Sequence, residues 1–205
     1  MELYELLGIK NLSDKILDGF PSYPQNKIQK TLLDNGFKLL GKGNYSSVYT
    51  HPKFNYALKI FDNDDGYTKF IKYCKQNQSN PHLPKFRGNL MRYKNSSWYA
   101  IRMELLQPFT KEEFLQEIYL IKALKEIFDF NNFINSNLSA MKLYDILDQS
   151  DSKSYQEWKD KNKLLFQTLK DLDNLDSNSE SFNIDLHERN FMRRGKTIVI
   201  IDPFA

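Results

Sequence analysis

Near the end of this sequence, three oxygen-bearing side chains stand at spacings that suit phosphoryl chemistry. Asp185 is followed five positions on by Asn190, and a strand, a turn at Gly195 and a second strand then lead to Asp202. Such a set can divide the work. One carboxylate orients or deprotonates an attacking hydroxyl, while an amide oxygen and a second carboxylate hold Mg²⁺ on phosphates. Mg²⁺ is a hard cation that takes oxygen ligands. Asp185 is therefore the candidate catalytic group, with Asn190 and Asp202 the candidate metal ligands. The plain alternative is a hairpin ending in an Asp-Pro turn, capped by Asp185 and Asn190. His187 reads as a brace of this loop, bonded to backbone.

A second candidate cluster lies far upstream. Residues 37–50 read as a strand, a Gly-rich turn and a returning strand, and Tyr56-Ala57-Leu58-Lys59-Ile60 makes a third. Gly41 and Gly43 would let the backbone bend tightly and bring the amides of Lys42, Asn44, Tyr45 and Ser46 against phosphate oxygens. Leu40, Val48 and Ala57 would line an apolar slot for an adenine ring. Lys59 lies two residues past Ala57, so it shares that strand face and can meet the phosphates beyond. The competing readings are an ordinary glycine hairpin and a solvated strand lysine.

The elements that must position these residues can be read from periodicity. Residues 1–36 form a helical preface, with a helix over 25–35 burying Ile28, Leu32 and Leu33 and capped by Gly36. A short helix follows between Asp64 and Asn77, with Tyr67, Phe70, Ile71 and Cys74 inward. Strands beginning at His82 and spanning Trp98 to Leu106, joined by an Asn95-Ser96-Ser97 turn, complete five antiparallel strands. A capping box at Thr110 and Glu113 opens a long helix to about Phe130, striped by Phe114, Ile118, Ile121 and Leu124. A short helix through Met141, Tyr144 and Leu147 comes next. Ser154 and Glu157 open another helix, carrying Trp158, Leu164, Leu165, Leu169 and Leu172. Residues 171–180 read as a solvated acidic loop. The expected organisation is an extension over 1–36, a nucleotide-binding part over 37–106, and a mainly helical part over 107–205 with the catalytic loop and metal site.

Composition excludes several classes. With 205 residues, 40% of them apolar and 14% aromatic, the chain can bury one good core or two small ones. Its single cysteine, Cys74, rules out an internal disulfide and favours a reducing, cytoplasmic setting. No signal peptide is expected, because the first residues carry acid where a basic region should stand. No apolar run reaches a membrane span. Net charge is only +3, with basic residues scattered among acids, which gives nucleic-acid binding no support.

Together these residues resemble the protein-kinase-like fold: α+β, two-lobed, with a five-stranded antiparallel first lobe and a truncated helical second lobe. Leu40 to Val48 resembles its Gly-rich loop, with Ser46 at the third glycine. Tyr56-Ala57-Leu58-Lys59 resembles its lysine strand, and Asp185 to Asn190 its catalytic loop. Met103-Glu104-Leu105-Leu106 resembles the gatekeeper and hinge, which makes Met103, Glu104 and Leu106 candidate nucleotide contacts. Asp202 stands at the metal-binding position. Asn35-Gly36-Phe37-Lys38, Thr50-His51-Pro52, Asp185-Leu186-His187-Glu188-Arg189-Asn190 and Asp202-Pro203 are similar to the early serine/threonine kinases of T7-like bacteriophages. That resemblance implies ATP and Mg²⁺ as cofactors and protein substrates, host proteins among them, in the host cytoplasm.

The departures from that pattern are specific. Asn183-Ile184 replaces the usual His-Arg, and the sequence stops three residues after Asp202, so no activation loop is expected. No glutamate lies between Lys59 and the fourth strand. Asp64, Asp65 or Asp202 is left to pair with that lysine. A substrate platform must come from the preface, from residues 111–150, or from a partner. Two rivals remain: a small-molecule kinase of the aminoglycoside type, and a pseudokinase acting as a binding module.

Overall fold

A computed structural model of the chain describes residues 24–62, 64–92, 97–127, 152–177 and 188–204. The expectations placed on residues 1–23, on Asn95 and Ser96, on the short helix through Tyr144, and on Asp185 and His187 lie outside the described residues. Two compact units are formed, one by the described residues of Met1–Asp65 and Lys85–Leu105, the other by those of Gly66–Pro84 and Leu106–Ala205.

The first unit begins with helix α1 (Pro24–Asp34). Ile28 and Leu32 are one turn apart, so they share a face, and both are buried. Leu33, expected inward with them, is 44% exposed because it falls one position round the helix. The helix ends as its glycine demands. Gly36 adopts φ 83°, its N–H donates to the Leu33 carbonyl, and the Phe37 N–H donates to the Leu32 carbonyl. This is a Schellman close, with Leu32 and Phe37 entering the same apolar cluster.

Five strands follow: β1 (Lys38–Lys42), β2 (Ser46–Thr50), β3 (Ala57–Phe61), β4 (Phe86–Arg92) and β5 (Tyr99–Met103). They form one sheet in the order β1-β2-β3-β5-β4, antiparallel at every step, as the sequence led us to expect. Alternation divides its side chains between two faces. Tyr49, Leu58, Ile60 and Ala100 turn to one face and pack with Ile28, Leu32, Phe37 and Trp98, so α1 belongs to the sheet's core and is no separate preface. Strand β4 is irregular between Arg87 and Met91. There Gly88 takes φ 70°, and a Cβ would meet the Arg102 guanidinium at 2.6 Å.

The second unit opens with α2 (Asp65–Gln76), whose inward residues Tyr67, Phe70, Ile71 and Cys74 follow the expected period. Helices α3 (Lys111–Gln116), α4 (Ile118–Ile127), α5 (Ser152–Lys161) and α6 (Lys163–Ser177) come after strand β6 (Gln107–Pro108). Strands β7 (Phe191–Arg194) and β8 (Thr197–Ile200) close a small sheet ordered β6-β7-β8. The capping box at Thr110 and Glu113 forms with both of its hydrogen bonds.

Three helix expectations need correction. The long helix after Thr110 is interrupted at Glu117 (φ −80°, ψ 55°), where its N–H bonds the Phe114 carbonyl and tightens the last turn of α3. Helix α5 begins at Ser152, which puts Ser154 inside its first turn rather than at its cap. It then breaks at Asn162, whose amide side chain and N–H both donate to the Trp158 carbonyl. Beyond the break Leu164 is 49% exposed, while Leu165, Leu169 and Leu172 are fully buried. The acidic stretch from Asp171 is helical through Ser177: Leu172 is inward, and Asp171 accepts from Tyr73 Oη at 3.0 Å. Among the described residues no helix is long and apolar enough to cross a membrane.

The two leucines of α1 provide a test of its phase. Leu32→Ala should cost about 2–5 kcal/mol in urea unfolding, as for a large buried side chain. Leu33→Ala should stay within about 0.5 kcal/mol, as for a surface change. Equal losses would mean that the helix faces the sheet differently.

Candidate functional site

Each unit carries part of the candidate machinery. In the first, register decides which side chains share a face: Gly41 pairs Val48, Val48 pairs Lys59, Thr50 pairs Ala57, and Ala57 pairs Met103. Val48, Ala57, Lys59 and Met103 thus stand on the face opposite the one that α1 covers. Lys59 is only 5% exposed, with Leu58 and Ile60 on either side and Ile101 across from it, all buried. It is not a solvated strand lysine. Burying an ammonium costs several kcal/mol unless its charge is compensated.

The glycine loop is bent by means other than those expected. Leu40 is the extra residue of a bulge between Leu39 and Gly41 and is 57% exposed. The tip is closed by Gly43 N–H to the Ser46 carbonyl at 2.8 Å and tied down by Asp62 N–H to the Tyr45 carbonyl at 2.9 Å. Neither Gly41 nor Gly43 has positive φ. A Cβ at Gly41 would meet nothing within 4 Å. The fold itself therefore makes no steric demand for glycine at 41. Lys42, Asn44 and Tyr45 are exposed around it and Ser46 is half-buried.

At the end of β5 the chain is pinned by a reciprocal pair. Glu104 N–H donates to the Lys85 carbonyl at 3.0 Å, and Lys85 N–H donates to Glu104 Oε1 at 2.7 Å. Leu106 is half-buried, and Gln107 directly after it enters the second unit's sheet opposite Arg193.

In the second unit the hairpin of β7 and β8 brings Asn190 and Asp202 to one end of the sheet. Phe191 pairs Ile200, and one step further the Ile201 N–H donates to the Asn190 carbonyl at 2.8 Å. The turn at the other end uses Gly195 at φ 62°. Asn190 and Asp202 are both half-buried, and after Pro203 the Phe204 ring packs edge-on against Phe70 at 6.3 Å. An amide oxygen and a carboxylate so tethered suit a hard divalent cation. Among the described residues no cluster of three or more His, Cys, Asp or Glu is placed to hold a metal. Two protein oxygens supplemented by phosphates match the way Mg²⁺ is commonly held.

Sequence reasoning missed two features of this end. Glu113 accepts from Arg193 at 2.7 Å while closing the capping box. Its bonds to the Thr110 backbone and to Arg193 hold its pKa below the ordinary carboxylate range. His82 bonds the Ile198 carbonyl through Nδ1 at 2.8 Å. Burial lowers the pKa of this ring against the raising effect of that carbonyl. The only signal for it was a histidine set between Pro81 and Pro84, which no periodic pattern singles out.

The antiparallel five-stranded sheet, the helix between its third and fourth strands, and the helical unit with its closing hairpin are the parts of a protein-kinase-like fold. The profile of the family described as Bacteriophage T7 protein kinase 0.7 matches residues 13–205, and the chain belongs to that family. No curated protein matches the chain. Among solved structures it is similar to APH(2")-IIa, in a ternary complex with streptomycin and ATP. That likeness has 14% identity and a TM-score of 0.34, covering 91% of this chain and 73% of the other.

Lys59→Met keeps the length of the side chain and removes its charge. Phosphoryl transfer should fall about 100-fold or more, the usual effect of losing one preorganised electrostatic contact. Undiminished turnover at saturating ATP would point to a different nucleotide clamp.

Proposed function

We propose that this kinase uses ATP and Mg²⁺ to phosphorylate serine and threonine hydroxyls of proteins, host proteins among them, in the cytoplasm of an infected cell. The observation that carries the reading is Lys59: buried, paired with Val48, and aligned with Ala57 and Met103 on the sheet face opposite α1. The description of its family as a protein kinase favours protein over small-molecule acceptors. We divide the work between a nucleotide-binding part over 37–106 and a catalytic part over 107–205.

In this reading Leu40, Val48 and Ala57 enclose the adenine, and Met103, Glu104 and Leu106 face its edge. The Glu104 N–H is engaged by the Lys85 carbonyl. Amides of residues 42–47 and the Lys59 ammonium orient the triphosphate. Asn190 and Asp202 hold Mg²⁺, which supplies neutralisation of the charge that builds on the transferred phosphoryl group. Asp185 aligns the acceptor hydroxyl and takes its proton. Most of the acceleration then comes from positioning and electrostatics.

The test is incubation with γ-labelled ATP and Mg²⁺, alone and with host-cell lysate, beside Asp185→Ala and Asp202→Asn. Label on serine and threonine of proteins, lost in both variants, is the expected result. Transfer to an aminoglycoside instead would replace the acceptor class. Unaltered transfer in Asp202→Asn would remove that residue from the site.

A further inference from the structure

The feature that the phosphoryl-transfer reading does not absorb is the loop between α2 and β4. Among the described residues strand β8 pairs with another strand, β7, along one edge only. Backbone groups of alternate residues point to opposite edges of a strand, so Ile198 and Ile200 face away from β7. Both are met by the loop. Ile200 N–H donates to the His82 carbonyl at 3.0 Å, and the Ile198 carbonyl accepts from the His82 ring at 2.8 Å. A carbonyl can only accept, so Nδ1 carries the hydrogen.

The loop itself is fastened at both ends. Arg194, the last residue of β7, donates to the Pro81 carbonyl at 2.8 Å and to the Leu83 carbonyl at 3.0 Å. Asn80 Oδ1 accepts from the His82 N–H at 2.9 Å, while its amide donates to the Thr168 hydroxyl at 2.8 Å. Thr168 is fully buried and donates in turn to the Leu164 carbonyl of α6. A loop without regular structure therefore takes the place of a fourth strand, braced against a helix. Two residues beyond Ile200 the chain reaches Asp202.

We propose that His82 and Arg194 are positioning residues for the metal-binding carboxylate of Asp202. They lock the outer edge of β8, as Asn190 locks its inner edge, and so set the place at which Asp202 meets a divalent cation. This rests on the proposed metal role of Asp202. Neither residue touches the reacting atoms. Their effect passes through the strand, as outer-shell partners of metal ligands commonly act.

The experiment measures Mn²⁺ binding to the protein–ADP complex by electron paramagnetic resonance, with ADP binding measured separately in the absence of metal. His82→Leu removes the donor, His82→Asn keeps one near the Nδ1 position, and Arg194→Gln releases the loop from β7 without altering the histidine. We expect Mn²⁺ affinity to fall about tenfold or more in His82→Leu and Arg194→Gln, the range for lost outer-shell partners. Metal-free ADP affinity should hold, and His82→Asn should recover most of the loss. Should His82→Leu fail to fold, Arg194→Gln and His82→Asn decide the matter. Asp202→Asn in the same assay separates the two ideas. If it binds Mn²⁺ like the parent, the metal role of Asp202 fails. If it loses Mn²⁺ while Arg194→Gln keeps parental affinity, or if His82→Asn is no better than His82→Leu, the positioning role alone is overturned.

Discussion

On strand β3 a simple parity governs the first unit. Leu58 and Ile60 must be buried against something, and the two-residue period of a strand then forces Ala57 and Lys59 to the other face. Helix α1 supplies the cover for the leucine and isoleucine through Ile28 and Leu32, and its Schellman close at Gly36 delivers Phe37 into the same cluster. That packing fixes which residues of β3 face α1, and a slip by one residue would turn Lys59 towards it. The candidate phosphate lysine is thus oriented by residues with no chemistry of their own.

The second unit solves a different problem, which is to hold two polar side chains at the end of a small sheet. A hairpin is marginal alone. Here β6 covers one edge of it through Gln107 and Pro108, and the loop around His82 covers the other. Helix α2 is part of this unit: Tyr73 donates to Asp171 on α6, and Phe70 packs on Phe204 just beyond Asp202. Hydrogen bonds to α6 and ring packing on Phe204 thus make α2 and the loop after it part of the support for Asn190 and Asp202.

The apolar period was legible wherever it was strict. Tyr67, Phe70, Ile71 and Cys74 sit inward as read, and the five antiparallel strands appear, but the fourth begins at Phe86 and not at His82, whose segment is a loop held by side-chain bonds, and the fifth ends at Met103 short of Leu106. The capping box at Thr110 formed because both its bonds are local. Reading failed where a side chain competed with the helix or found a distant partner. Asn162 ends α5 by bonding the Trp158 carbonyl, and Leu172 and Tyr73 draw the acidic stretch from Asp171 into a helix. The first is a local competition that the apolar period does not register, and the second depends on a partner 98 residues away.

By itself the sequence determined which chemistry is available: oxygen donors at 185, 190 and 202, a lysine two residues from a small apolar one, and glycines before it. Those are matters of residue type and short spacing, which need no partner to be read. Tertiary structure alone decided that Lys59 is buried, that α1 seals the sheet, that the glycine loop bends by a bulge and a tied tip, and that His82 and Arg194 brace the strand before Asp202. Apart from the glycine loop, whose bonds are local, each depends on groups separated by tens of residues meeting in space. Burial and hydrogen bonding across such distances leave no periodic trace in the chain that makes them.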